Sequence, residues 1–219
     1  MPKAKLIGVF DSGLGGQSVV EAIQIAFPQH NVLFKNDRAN MPYGQRTPES
    51  ILKLIEPIFQ ELVASGCDVI VIACNTVSTT LYEQLKQMFV LPLIAMVPMV
   101  KPAAQLTNSK VIAVCATPTT LSSTRYAELK RQYAADIKVI EPDCSDWSLL
   151  IEDNRMNAEY IEADLRPAIE AGADVIVLGC THYHWIEQEI VDLVGPKITV
   201  LQPEPAVISQ LSRLLARLP

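Results

Sequence analysis

Two cysteines in this 219-residue chain end a pair of matching apolar segments. Residues 67–76 read CDVIVIACNT and residues 173–182 read ADVIVLGCTH, so Cys74 and Cys180 each follow a β-branched run and precede polar residues. This pattern predicts a thiol at the carboxyl end of a buried strand, which is the edge where open α/β sheets bind ligands. A thiolate can act as a base. Two such thiols in related halves predict acid/base groups on opposite sides of one substrate, as proton exchange without preferred handedness requires.

Polar residues follow each thiol, with Asn75 and Thr76 in the first segment and Thr181 and His182 in the second. Hydrogen-bond donors and helix N-termini lower a thiol's pKa from about 8.5, and a histidine two residues after a cysteine could relay its proton. A single apolar cysteine is more often an inert core residue, but the mirrored placement favours function. The cysteines without a mirrored partner are interpreted as structural: Cys67, Cys115 and Cys144.

Two more loops follow predicted strands and could contribute to the same site. Residues 11–16, DSGLGG, open the first predicted helix, where free N–H groups could bind a carboxylate, although an ordinary turn fits equally well. This loop lacks the G-x-G-x-x-G spacing of dinucleotide sites, which argues against a nicotinamide or flavin cofactor. Residues 36–44, NDRANMPYG, form either a solvated loop or a wall of the site in which Tyr43 closes over a ligand. Glu152 is either a plain helix-end carboxylate or a group that shuttles protons.

Apolar runs and amphipathic stretches alternate along almost the whole chain. The apolar runs predict eight short strands, at 5–10, 31–35, 68–73, 91–97, 110–115, 137–140, 174–179 and 198–201. Helical periodicity predicts six helices, at 18–26, 48–64, 78–88, 122–133, 156–171 and 204–217. This alternation is typical of α/β proteins, in which right-handed crossovers place helices on both faces of parallel sheets.

A second repeat defines the domain organisation. KLIGV at residues 5–9 matches KVIAV at residues 110–114. The chain therefore predicts two pseudo-symmetric, parallel-sheet α/β domains with the active site in the cleft between them. The first domain comprises residues 1–96 together with a C-terminal helix at 203–219, and the second comprises residues 97–202.

Composition limits the class of function. The formal charge is −6 and the basic residues are scattered, which argues against a nucleic-acid partner and favours a small-molecule substrate. No apolar stretch approaches the roughly 20 residues that span a bilayer, and the N-terminal segment is too short and too polar for a signal peptide. The five cysteines show neither metal-ligand spacing nor a disulfide pattern. We expect a cytoplasmic protein with no metal and no membrane partner; the oligomeric state stays open, with a homodimer as one option.

Four short motifs together resemble the glutamate racemases of the aspartate/glutamate racemase superfamily. They are DSGLGG at 11–16, PYG at 42–44, ACNT at 73–76 and GCTHY at 179–183. Their order and spacing match along nearly the full chain. The resemblance implies a mechanism without cofactor, in which one thiolate removes the α-proton and the opposite thiol delivers a proton to the other face. It also implies an enzyme that supplies D-glutamate for bacterial peptidoglycan.

The resemblance further implies a role for individual residues. Cys74 would act on the D-enantiomer and Cys180 on the L-enantiomer. The assisting acid/base residues would be Asp11, His182, Asp37 and Glu152. The substrate-binding residues would be Ser12, Pro42, Tyr43, Gly44, Asn75, Thr76, Thr120 and Thr181.

Three departures from the family pattern bear on specificity and on cleft closure. His184 stands where proline is usual, segment 94–98 lacks the usual glycine and acidic residue, and residues 201–203 replace an aspartate-containing turn. The open alternatives are another acidic substrate such as aspartate, a superfamily isomerase or decarboxylase, and a catalytically silent protein that binds a small acid or a protein partner. Because decarboxylases keep one cysteine and a binder needs no opposed thiols, the two cysteines favour racemisation.

Overall fold

Two four-stranded parallel sheets form the framework of the computed structural model, which describes residues 4–218. The predicted domain ends at 1–3 and 219 lie outside the described residues. The first sheet has the order β2-β1-β3-β4 and contains β1 (Leu6–Asp11), β2 (Asn31–Asn36), β3 (Val69–Ile72) and β4 (Leu93–Ala95). The second has the order β6-β5-β7-β8 and contains β5 (Val111–Ala116), β6 (Lys138–Ile140), β7 (Val175–Gly179) and β8 (Thr199–Leu201). The predicted α/β class with two parallel sheets is confirmed.

Helices and short 3₁₀ turns connect these strands. The α-helices are α1 (Gln17–Ala26), α2 (Pro48–Ala64), α3 (Asn75–Thr80), α4 (Tyr82–Met88), α5 (Val100–Leu106), α6 (Pro118–Leu121), α7 (Thr124–Tyr133), α8 (Trp147–Glu152), α9 (Ala158–Glu170), α10 (Glu187–Val194) and α11 (Glu204–Leu215). The 3₁₀ turns are Arg38–Asn40, Tyr43–Gln45 and Thr181–Ile186. Within the described part of the chain, none of the helices is long and apolar enough to cross a membrane.

All eight predicted strands are present, and the differences between the prediction and the structure lie in the helices. The helix predicted over 78–88 is divided into α3 and α4, and the helix predicted from 122 begins at Thr124 after the separate α6. Helical periodicity does not predict α5, α6, α8 or α10, although Glu152, the last residue of α8, is interpreted above as a possible helix-end carboxylate. Pro102 lies in the first turn of α5, where its missing N–H would have had no intrahelical partner, so the helix tolerates it.

The inner strands β3 and β7 are buried along their whole length. Parallel sheets covered by helices on both faces require such continuous apolar runs. In the parallel registers Phe10 pairs with Ile72, and Ala116 pairs with Gly179. The neighbouring strands of each sheet therefore end level with one another, and the chain segments that follow them leave the sheet side by side.

Helix α11 returns to the first sheet. Its residues Val207 and Leu211 are buried in one cluster with Ile7, Val9 and Val19 of β1 and α1. We call residues 4–96 together with α11 the first half, and the residues between them the second half. We keep the predicted division into two domains as a proposal. Its first domain comprises residues 1–96 and 203–219, and its second comprises residues 97–202.

Candidate active site

A narrow cavity lies where the carboxyl ends of the inner strands meet. Residues of both halves line it: Ser12, Met41, Pro42, Tyr43, Gly44, Cys74, Asn75, Thr76, Thr117, Ser148, Cys180, Thr181 and His182. The space open to a water-sized sphere measures about 10 Å³, which is room for about one water molecule. The cleft between the halves is therefore closed in this structure.

Cys74 is buried directly before the first residue of α3. Its Sγ donates a hydrogen bond to Ser12 Oγ at 3.4 Å. Burial, followed by the negative charge of Asp11, raises the pKa of Cys74 to about 12, although hydrogen bonding with Ser12 and with the Val77 N–H opposes the shift. Cys74 therefore keeps its proton near neutral pH.

Cys180 is buried directly before the 3₁₀ turn Thr181–Ile186. Its Sγ lies 3.6 Å from Nδ1 of His182. Burial by itself lowers the pKa of His182, but hydrogen bonds with Cys180 and Glu152 and the charges of Cys180 and Asp11 together raise it to about 10. His182 is therefore an imidazolium near neutral pH, and a positive charge at this distance stabilises a thiolate.

Glu152 lies behind His182 at the end of α8. Its Oε1 accepts hydrogen bonds from Nε2 of His182 at 2.8 Å and from the Leu14 N–H at 2.9 Å, and its Oε2 accepts one from Nε of Arg38 at 2.9 Å. Burial raises the pKa of Glu152, but these three donors outweigh it and lower the value to about 2. The carboxylate is therefore ionised and holds the imidazole of His182 in one orientation.

Asp11 links the two halves beneath the cavity. Its carboxylate accepts hydrogen bonds from the N–H groups of Gly13 and Gly16 at 3.2 and 3.0 Å, and from the Thr181 hydroxyl at 3.2 and 3.3 Å. Burial raises the pKa of Asp11 despite these donors and the nearby His182. The close approach needs glycine in the loop, because a Cβ on Gly16 would lie 2.6 Å from that of Asp11.

Tyr43 forms one wall and is anchored by Asp37. The phenol donates to one carboxylate oxygen of Asp37 at 2.5 Å, and Nδ2 of Asn40 donates to the other at 2.8 Å. Burial and the Asp37 carboxylate raise the pKa of Tyr43 well above its ordinary value. Tyr43 is therefore a neutral donor whose position is set by Asp37.

Three threonine hydroxyls from both halves meet beside the cavity. Thr76 Oγ1 lies 2.9 Å from Thr117 Oγ1 and 3.4 Å from Thr120 Oγ1, and Thr117 donates to Thr120 at 3.1 Å. Thr117 lines the cavity, whereas Thr120 is fully buried behind it. This hydroxyl cluster joins α3 of the first half to α6 of the second.

Asn75 is the polar group that these contacts leave without a partner. Its Nδ2 and Oδ1 are both buried, and neither has a hydrogen bond within residues 4–218. Buried polar atoms are nearly always paired, so an unpaired amide calls for an explanation. Because Asn75 also lines the cavity, a bound ligand with both donor and acceptor groups would satisfy it.

Most of the predicted site residues line the cavity, and four lie behind it. Each of those four makes a hydrogen bond to a lining residue: Asp11 to Thr181, Asp37 to Tyr43, Glu152 to His182, and Thr120 to Thr117. Their chemical roles stay predictions.

Three lining residues were not predicted: Met41, Thr117 and Ser148. The repeat that aligns residues 5–9 with 110–114 also aligns Ser12 with Thr117, so a signal for Thr117 was present. Met41 lies inside the loop already proposed as a wall. Ser148 lies in α8, a six-residue helix that helical periodicity does not predict.

The arrangement can remove a proton on one side of the cavity and deliver one on the other. A protonated thiol lies on the first half, and a thiol beside an imidazolium lies on the second. In the part of the chain that the structure describes, no group of three His, Cys, Asp or Glu side chains could hold a metal ion.

Comparison with known proteins relates this geometry to a family. The profile of the Asp/Glu/Hydantoin racemase family matches residues 16–211. The glutamate racemase of Deinococcus radiodurans is 40% identical to this chain over 223 residues, which cover 99% of this chain and 77% of that protein.

Solved structures agree with the sequence match. Escherichia coli glutamate racemase, in complex with L-glutamate and the activator UDP-MurNAc-ala, has a TM-score of 0.90 at 26% identity and covers 98% of this chain and 83% of its own. Francisella tularensis glutamate racemase with D-glutamate has a TM-score of 0.83 at 26% identity, covering 98% and 82%. The chain therefore belongs to the Asp/Glu/Hydantoin racemase family, and it is a racemase.

Proposed function

We propose that this racemase interconverts L- and D-glutamate without a cofactor, with Cys74 and Cys180 as its two acid/base groups. The observation that carries the proposal is that two buried thiols, one from each half, line the same closed cavity in different electrostatic surroundings. The similar proteins are named glutamate racemases, and the structures compared above contain L- or D-glutamate. Both facts support an acidic amino acid as the small-molecule substrate.

In the L-to-D direction, the Cys180 thiolate removes the α-proton of L-glutamate and becomes a thiol. The Cys74 thiol gives its proton to the opposite face of the carbanion and becomes a thiolate, so the number of protons on enzyme and amino acid is conserved. His182 stabilises the Cys180 thiolate before the transfer. Ser12 lies close enough to Sγ of Cys74 to donate to the thiolate formed there. The D-to-L reaction follows the same steps in reverse.

The lining supplies what an unstable carbanion needs. An amino-acid α-proton is very weakly acidic, so its removal requires donors that are already oriented and a cavity that excludes water. The unpaired Asn75 amide and the hydroxyls of Thr76, Thr117 and Thr181 line the cavity. We propose that these groups bind the carboxylates and the ammonium group of the substrate.

The biological role follows from the product. We propose that the protein supplies D-glutamate for bacterial peptidoglycan from the cytoplasm. Expression of the chain in a bacterial strain that needs added D-glutamate should restore growth without the supplement, and a Cys74→Ala variant should not. Failure of the active enzyme to restore growth would count against this role.

Incubation in D₂O tests the proposed reaction and its substrate. The purified protein receives L-glutamate or L-aspartate and no cofactor, with the α-proton followed by NMR and the optical rotation by circular dichroism. We expect L-glutamate to lose both its α-proton signal and its rotation. The same result with L-aspartate alone would establish the rival substrate, and no exchange with either acid would favour a silent binding protein.

A further inference from the structure

Arg38 makes an unusual contact for a surface residue. Its side chain is 59% exposed, but its Nε donates at 2.9 Å to Oε2 of Glu152, a side chain that is only 4% exposed. Charge-assisted hydrogen bonds to a buried carboxylate are stronger than ordinary surface ion pairs, because less water competes for the acceptor. Arg38 belongs to none of the four short motifs and lies in the loop before PYG.

The Arg38–Glu152 contact crosses the cleft. Arg38 and the Leu14 N–H belong to the first half, whereas Glu152 and its third partner, His182, belong to the second. The closed cavity has room for about one water molecule, so the halves must separate before an amino acid enters. Glu152 therefore takes two of its three hydrogen bonds from across the cleft, and these are the contacts that separation of the halves would break.

Charges of alternating sign run inward from Arg38. The guanidinium faces the Glu152 carboxylate, which faces the His182 imidazolium, which in turn faces Cys180. Asp11 contributes a further negative charge near His182. Removal of Arg38 therefore changes the position and the charge balance of the pair that stabilises Cys180.

We propose that Arg38 is a positioning residue whose ion pair with Glu152 closes the cleft and fixes the Glu152–His182 pair behind Cys180. The proposal rests on the proposed function for its effect on catalysis. Its structural part, the ion pair itself, stands independently of the substrate.

Kinetics of an Arg38→Met variant test the catalytic effect. We expect kcat/KM to fall about 10- to 100-fold, as for other displacements of groups that orient a reactive residue. The value of kcat/KM must fall equally for the L-to-D and the D-to-L reaction, because the two enantiomers have equal free energy. The matched control is Lys35→Met, which removes the same charge from an exposed pair with Glu61, also 2.9 Å long and confined to the first half. Equal kinetics in the two variants would overturn the proposal.

Two further variants separate the ion pair from a general effect on folding. Arg38→Lys keeps the charge and should recover most of the lost activity. In a Glu152→Gln background, Arg38→Met should change kcat/KM by less than about twofold, because the partner of the guanidinium is already altered. Independent, additive losses would show that Arg38 does not act through Glu152.

An NMR titration without substrate separates this proposal from the proposed function. The ¹³C carboxyl signal of Glu152, assigned with Glu152→Gln, should titrate at low pH in the unmodified protein and in Lys35→Met. In Arg38→Met its pKa should rise, since a donor that lowers it is lost. Absence of racemisation with this shift present would refute the function and keep the ion pair. Racemisation without this pKa shift would refute the ion pair and keep the proposed function.

Discussion

At the scale of single residues, the two thiols differ in what surrounds them. Cys74 faces the hydroxyl of Ser12 and has a raised pKa, whereas Cys180 faces the imidazolium of His182. An imidazolium therefore stands beside the thiol of the second half and not beside that of the first. The enzyme is therefore asymmetric in charge although its halves repeat.

The charge on His182 makes stability depend on pH. Its pKa in the folded protein, about 10, lies above the value of about 6.5 for an unperturbed histidine. The resulting stabilisation is fully present below about pH 6.5 and is lost as pH rises through about 10, with a slope of about one proton. We expect the free energy of unfolding by urea to fall over this range, and to fall less steeply in His182→Gln. Parallel pH profiles for the two proteins would contradict the charge assignment.

Asn75 predicts a loss of binding with little loss of stability. In the closed cavity its buried amide has no hydrogen bond to lose, so Asn75→Ala should change the free energy of unfolding by less than about 1 kcal/mol. A hydrogen bond from the amide to a charged substrate group would contribute about 1.5–3 kcal/mol, so KM should rise about tenfold or more. Steady-state kinetics and urea denaturation measure both quantities. An unchanged KM would remove Asn75 from the binding site.

At the scale of elements, the buried strands were the most predictable part of the chain. The runs before Cys74 and Cys180 are continuous and β-branched, as a parallel sheet covered on both faces requires. The sequence is less informative where short helices follow loops. α8 has six residues and little room for periodicity, so the sequence indicates only its end, at Glu152, and does not predict Ser148 as a site residue. The placement of Glu152 against Arg38 depends on tertiary packing that no local pattern contains.

The departure at His184 has a structural counterpart in the C-terminal helix. Nδ1 of His184 lies 3.0 Å from Oε1 of Glu204 and 3.2 Å from Oγ of Ser18, so the segment after Cys180 is tied to α11 and α1. The histidine side chain is 3% exposed and the glutamate 14%. His184→Ala should therefore reduce the free energy of unfolding by about 1–3 kcal/mol, because a largely buried carboxylate loses a partner.

Urea denaturation measures the effect of His184→Ala. The exposed pair between Lys86 and Glu83 offers the control, and Lys86→Ala should cost less than about 1 kcal/mol. Equal losses of unfolding free energy for the two substitutions would show that the buried contact with Glu204 does not stabilise the protein more than an exposed pair does.

At the scale of the whole molecule, the similarity of the two halves and the difference in charge around their thiols have separate origins. The repeated segments yield two sheets with equivalent strand order, and the matching residues Cys74 and Cys180, and Ser12 and Thr117, line one cavity. The pair behind Cys180, His182 and Glu152, lies in the second half, whereas no histidine among the described residues lines the cavity from the first half. The repeat in the sequence predicts the paired sheets and the paired thiols. The difference in charge around the two thiols depends on distances between side chains of different elements, which the sequence does not contain.

The most direct test of the two-thiol account uses Cys74→Ala and Cys180→Ala with glutamate analogues that carry a leaving group at the β-carbon. Loss of the α-proton from such an analogue expels the leaving group, so elimination needs one base. We predict that neither variant racemises glutamate, that Cys74→Ala still eliminates from the analogue with the L configuration, and that Cys180→Ala does so from the D analogue. Racemisation by either variant, or elimination from both configurations by one of them, would contradict the assignment of one base to each face.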